Sequence, residues 1–244
     1  MKPSSPLHHQ AGQLYQQGNY QQTLELLEPA VAEHEDDGLL WMLLGLARRG
    51  LRQFPQALAD LETAMTLIPL PAAARCALGD CYARCGKPEL ARSLLVELAQ
   101  DVQCPAELLP ALASSLDRLG EWARALHVCR RASQHFPDHD APLYAMAYYM
   151  QKLCLPLEKI LPVMRSAFQL DPQCITYRVS LALIHYQLGE HAEAHRLIEP
   201  VPLSSIRCRH CVARLRNIFS AAHDDWGQQQ CDDRISQLLM ETEG

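Results

Sequence analysis

Four residues in the last fifth of the sequence can be written as a tetrahedral zinc set: Cys208 and Cys211, separated by two residues, with His223 and Cys231. Thiolate and imidazole are the ligands zinc prefers, and a Cys-x-x-Cys step brings two sulfurs to one ion. The surrounding residues argue against such a site. A metal knuckle of this kind usually has glycine after its second cysteine, whereas Val212-Ala213-Arg214 reads as helix. Helices over about 207–221 and 226–241, paired antiparallel, put Cys211 and Cys231 at one height. His223 then falls at the turn, about 18 Å along the helix from Cys211. No metal and no cofactor is therefore expected, and the thiols read as core or cap residues. A metal- or redox-responsive regulator using Cys208, Cys211 and Cys231 stands as the alternative function.

The remaining chemistry-bearing residues give less. Cys81 and Cys85 share a helix face at i, i+4 with Cys76 nearby, but no second pair of ligands accompanies them. Of the eleven histidines, His8 and His9 lie at the start. His127, His185, His191 and His195 fall at helical positions with no partner that spacing identifies. No nucleophile elbow, phosphate-binding glycine loop, dinucleotide fingerprint or paired-histidine zinc motif occurs. The expectation is a chain without catalytic machinery, any chemistry coming from another subunit.

Composition narrows the class. The 244 residues are 48% hydrophobic and only 6% aromatic, so the apolar content is mainly Ala and Leu, both strong helix formers. The net charge is −6, from 22 basic and 28 acidic residues. Arginine pairs occur at Arg48–Arg49 and Arg130–Arg131, but no long basic run exists, so no nucleic-acid partner is expected. The opening Met1-Lys2-Pro3-Ser4-Ser5-Pro6 leads into no apolar leader core, and no long apolar stretch predicts a membrane span. Ten cysteines without a leader point to a reducing, cytoplasmic setting.

The elements that position these residues repeat. Gly18, Gly86, Gly120 and Gly189 mark a tight turn at multiples of 34 residues, with Arg52 in the vacant slot between the first two and Leu155 in the slot before Gly189. One extra residue is placed near His139. Thr23, Ala57, Ala91, Ala125, Ile160 and Ala194 form a second column, and Ala30, Ala64, Leu98, Ala132, Ala167 and Val201 a third. Ala11, Gly45, Gly79, Ala113, Tyr148 and Ala182 form a fourth, and Pro69, Pro137 and Pro172 close the period. Small residues belong where two antiparallel helices touch, glycine where a helix ends with positive φ, and proline where the next helix cannot continue.

This pattern resembles the tetratricopeptide-repeat (TPR) family. Trp41-x2-Leu44-Gly45 with Phe54, Ala57, Leu61, Ala64 and Pro69 carries the likeness most clearly. Gly79, Tyr82, Gly86, Ala91 and Leu95 repeat it, as do Gly120-Glu121-Trp122, Ala125, Ala132 and Pro137. The resemblance implies an all-α, right-handed α-solenoid of helix-turn-helix units. Six repeats are expected at 4–37, 38–71, 72–105, 106–139, 141–174 and 175–208, so the repeats fill 1–208 and a helical hairpin caps the array over 209–244. In the hairpin, Cys231, Ile235, Leu238 and Leu239 make one apolar stripe. The fifth repeat departs most, and Pro162 within its second helix predicts a kink or a late start.

The resemblance also implies a function: an interaction scaffold or adaptor that holds a peptide or protein in the groove lined by the first helices. Carried onto this sequence, the groove positions are Tyr15, Gln16, Met42, Arg49, Asp80, Arg84, Ser114, Asp117, Arg118, Tyr149, Lys152, Tyr186 and Gln187. Relatives that clamp a chaperone's terminal carboxylate use Lys and Asn at fixed groove positions. Here Asn occurs only at Asn19 and Asn217, neither at such a position, which favours a longer peptide or a folded partner. The polar tail favours a monomer, with self-association through uncapped ends as the other possibility.

Overall fold

The computed structural model describes residues 6–243. Residues 1–5, including the start of the first expected repeat and the leader reading at Met1–Ser5, lie outside the described residues. Among the described residues there are fourteen α-helices and no strand. They are α1 (Pro6–Gln16), α2 (Tyr20–Glu33), α3 (Gly38–Gly50), α4 (Phe54–Leu67), α5 (Ala72–Arg84), α6 (Pro88–Gln100), α7 (Leu109–Arg118), α8 (Trp122–His135), α9 (Asp140–Lys152), α10 (Leu157–Leu170), α11 (Ile175–Gln187), α12 (His191–Ile198), α13 (Arg209–Ala221) and α14 (Asp225–Glu243). Single 3-10 turns at Ala106–Leu108 and Leu203–Ser205 lead into α7 and follow α12. No described helix is long and apolar enough to cross a membrane.

The chain divides into two compact units, Met1–Ala132 and Ser133–Gly244. In the first, Leu27, Leu40, Leu44, Leu61, Leu78, Leu95, Leu98, Leu109, Leu112 and Leu116 are fully enclosed, with Ala11, Ala57, Ala64 and Ala91 between them. In the second, Ala147, Ile160, Met164, Ala182, Ile184, Ile198, Val212, Leu215 and Ile218 take that place.

Seven turns share one geometry. A residue with positive φ ends the first helix of each pair: Gly18, Arg52, Gly86, Gly120, Cys154, Gly189 and His223. The next backbone N–H donates to the carbonyl five residues earlier, as in Asn19 to Leu14, Gln53 to Arg48, Lys87 to Tyr82, Glu121 to Leu116, Leu155 to Met150, Glu190 to His185 and Asp224 to Phe219, at 2.9–3.0 Å. This helix-ending bond satisfies a carbonyl that the helix itself leaves unpaired.

The turn column corrects the register of the fifth repeat. Steps of 34 run from Gly18 to Cys154, the 35-residue step comes next, and 34 returns between Gly189 and His223. The left-handed residue is thus Cys154, not Leu155, and the extra residue sits in the turn after it rather than near His139. α10 starts three residues past Cys154, where α8 starts two past Gly120. Counting back from the turn, the small residue of this repeat is Ala147, fully buried, and not Tyr148. Pro162 lies inside α10, where its missing N–H leaves the Glu158 carbonyl without its helical donor.

At the small column the paired helices come too close for a side chain. A Cβ on Gly45 would lie 2.8 Å from Leu61, and one on Gly79 would lie 2.6 Å from Leu95. α13 and α14 extend the turn periodicity into a seventh hairpin. Its small position is taken by Arg216, which donates to Asp232 at 2.7 Å. Close contact moves instead to Gly227, where a Cβ would meet the Phe219 ring at 2.3 Å.

Candidate functional site

The first helices of the leading unit bring four of the expected groove residues into one constellation. Asp80, in the middle of α5, has a side chain only 3% exposed. Its Oδ2 accepts from Arg49 Nε of α3 at 3.0 Å. Its Oδ1 accepts from Arg84 Nε, one turn along α5, at 3.1 Å and from Arg118 of α7 at 2.9 Å. Three consecutive first helices are joined through one carboxylate. The three arginines keep side-chain exposures of 32, 28 and 35%, so they cover Asp80 and face solvent themselves. The Arg84 guanidinium also lies 4.4 Å over the centroid of Phe54, a cation–π contact that fixes its plane.

The sequence alone reads Asp80 as an exposed groove residue; the structure buries it as the acceptor that aligns the three arginines. Of the other expected residues in this unit, Ser114 and Gln16 are exposed, and Tyr15, Met42 and Asp117 are half-buried. The Tyr15 and Tyr20 rings lie 5.6 Å apart, and burial raises the Tyr15 hydroxyl above the usual tyrosine range. Beneath the cradle, burial pushes the Cys76 thiol up to about 11 and Cys81 up to about 12, so both are neutral packing groups.

In the second unit the register correction changes the residues. Tyr149 is 6% exposed and belongs to the core. The position equivalent to Asp80 is Tyr148, six residues before the turn, and Lys152 is the equivalent of Arg84 and Arg118, two residues before it. Lys152 Nζ stands 5.4 Å over the Tyr148 ring. Tyr144, one turn earlier, packs its ring at a tilt against Tyr177 of α11, centroids 4.8 Å apart, and Tyr177 donates to Asp140 at 2.5 Å. That hydrogen bond lowers the Asp140 carboxyl and, after burial, is the second cause that raises the Tyr177 hydroxyl. Tyr186 lies 5.2 Å from His191, and Gln187 edges a pocket with Gln151, Leu155 and Arg214. The sequence alone puts Tyr148 in the small column and does not name Tyr144; buried Ala147 moves the register of both by one residue.

The four residues of the zinc pattern do not converge, and among the described residues no three His, Cys, Asp or Glu side chains form a metal-ligand group. Cys208 is exposed and caps α13, its sulfur accepting the Cys211 backbone N–H at 3.4 Å. Hydrogen bonds from the Cys211 thiol and backbone hold Cys208 below the ordinary thiol range. Cys231 is fully buried, and desolvation pushes it up to about 11.

Comparison with known proteins bears on this helical architecture. One tetratricopeptide-repeat family model matches residues 44–106, and a second matches 176–200. The chain is a tetratricopeptide-repeat protein. Among curated proteins there is no match. Solved structures share the TPR fold across nearly the whole chain. The C-terminal part of a TPR-containing protein from Cytophaga hutchinsonii has a TM-score of 0.70 and 12% identity, with 95% of each chain covered. PilF of Pseudomonas aeruginosa has a TM-score of 0.66 and 16% identity, covering 81% of this chain and 90% of its own. YrrB, described as a TPR protein with an unusual peptide-binding site, has a TM-score of 0.58 and 16% identity over 72% of this chain and 90% of its own. These likenesses establish the all-α TPR solenoid fold, which is in general that of a protein-interaction scaffold.

Proposed function

We propose that this TPR protein is an adaptor without catalytic activity of its own, which holds a protein or peptide partner against the first helices of its repeats. The observation that carries this reading is the Asp80-centred arginine set. Three first helices hold cationic, partly exposed side chains in fixed positions, and arginine is among the residues enriched where binding energy concentrates. The half-exposed Tyr148 under Lys152 supplies an amphipathic contact of similar kind on α9. The peptide-binding description of YrrB accords with this use of the fold. A cytoplasmic, monomeric protein is part of the proposal.

Site-specific photocrosslinking tests it. A crosslinker at Ser114, exposed on the first helix α7, should trap a partner from the native cell extract. The same crosslinker at Gln100, exposed on the second helix α6, should not. Arg84→Glu with Arg118→Glu should abolish the Ser114 adduct while circular dichroism stays helical. Trapping from Gln100 alone would overturn the first-helix assignment and move the site to the second helices.

A further inference from the structure

We infer that the Arg49–Arg84–Arg118 cradle over Asp80 anchors a carboxylate on an acidic segment of the protein partner. This deepens the groove reading above and rests on it. The argument begins with charge: three guanidiniums share one carboxylate, so the cluster carries two uncompensated positive charges in a chain of net −6. Among the described residues, none of the three arginines pairs with any carboxylate but Asp80.

Geometry adds direction. Arg49 and Arg84 each engage Asp80 through Nε, which leaves their terminal Nη groups for another acceptor. A planar guanidinium presents those donors as a fork that matches a carboxylate. Asp80 and Phe54 already hold Arg84 in place, so binding costs less side-chain ordering than capture by a free surface arginine. The cradle is also local. Asp117 stands beside Arg118 on α7, and no cationic run continues from the cluster. A polyphosphate backbone would meet that carboxylate and the chain's overall negative charge, whereas one or two acidic side chains fit the available donors.

Fluorescence anisotropy with labelled oligoglutamate tests the inference on the full chain. Wild type should bind oligoglutamate, with affinity falling as salt rises, and should not bind oligolysine. Arg118→Gln should weaken binding about tenfold, a loss of about 1.4 kcal/mol, while Arg118→Lys should retain part of it. Arg124→Gln, a surface change on α8 outside the cradle, should bind as wild type does, and urea unfolding should show that the variants stay folded. Equal binding by wild type and Arg118→Gln would overturn the proposal, as would binding of oligothymidylate without oligoglutamate. If oligoglutamate fails to bind while the Ser114 crosslink still traps a protein, the acidic assignment falls and the groove stands. Loss of the Ser114 crosslink as well would remove both.

Discussion

Asp80 is where a single side chain carries the most consequence. A carboxylate enclosed by the chain and held by three charged donors is expensive to disrupt, because removing it leaves neighbouring arginines facing one another without a counter-charge. Asp80→Ala should lower the unfolding free energy by about 2 kcal/mol, discounted from the full buried-pair value because the arginines reach solvent. Urea denaturation checks this, and a change below about 0.5 kcal/mol would place Asp80 with ordinary surface positions. The cysteines give a second prediction at this scale. The thiolate is the reactive form, so exposed Cys208, held below the ordinary range by Cys211, should alkylate with iodoacetamide at neutral pH well before Cys81, Cys129 and Cys231. Peptide mass spectrometry after brief labelling reads the order. Early modification of Cys129, which burial pushes up to about 12, would contradict the enclosed environment described for it.

The turns make their predictions as elements. Positive φ is costly for a residue with a Cβ, yet Arg52 and Cys154 adopt 64° and 52° where other repeats use glycine. Cys154→Gly should therefore raise stability by up to about 1 kcal/mol, and Arg52→Gly should do the same. A shift of the urea midpoint to lower concentration in both would show that side-chain contacts outweigh the backbone strain. The same turns explain what could be read in advance. The helical hairpins and their small residues were legible because glycine and alanine columns recur at one period. The fifth repeat was misplaced by one residue because Cys154, not glycine, occupies its left-handed position, and Ala147 lies beside two tyrosines. That slip sent Tyr149 into the expected groove and left Tyr144 and Tyr148 out of it. The arginine positions were legible, but their shared carboxylate was not. Nothing in spacing says that Asp80 points at arginines from both neighbouring first helices.

At the scale of the whole molecule, the governing property is that inside each compact unit the hairpins pack on their sequence neighbours. A lesion should then be felt nearby and fade along the chain, unlike the all-or-none loss of a single compact core. Phe219 offers a way to measure this in the second unit. It is almost fully enclosed, meets His195 edge-on at 5.6 Å, and fills the space opposite Gly227 on α14. Phe219→Ala should cost about 3–5 kcal/mol within its hairpin. Hydrogen exchange followed by mass spectrometry should show lost protection in α13 and α14, a smaller loss in α12, and unchanged protection in α3–α7, where the arginine cradle lies. Oligoglutamate binding should survive in the same variant, because its donors and Asp80 all belong to the first unit. Uniform loss of protection in every helix would mean that the chain folds as one cooperative body, and stability in the terminal hairpin would then be coupled to the cradle of the first unit.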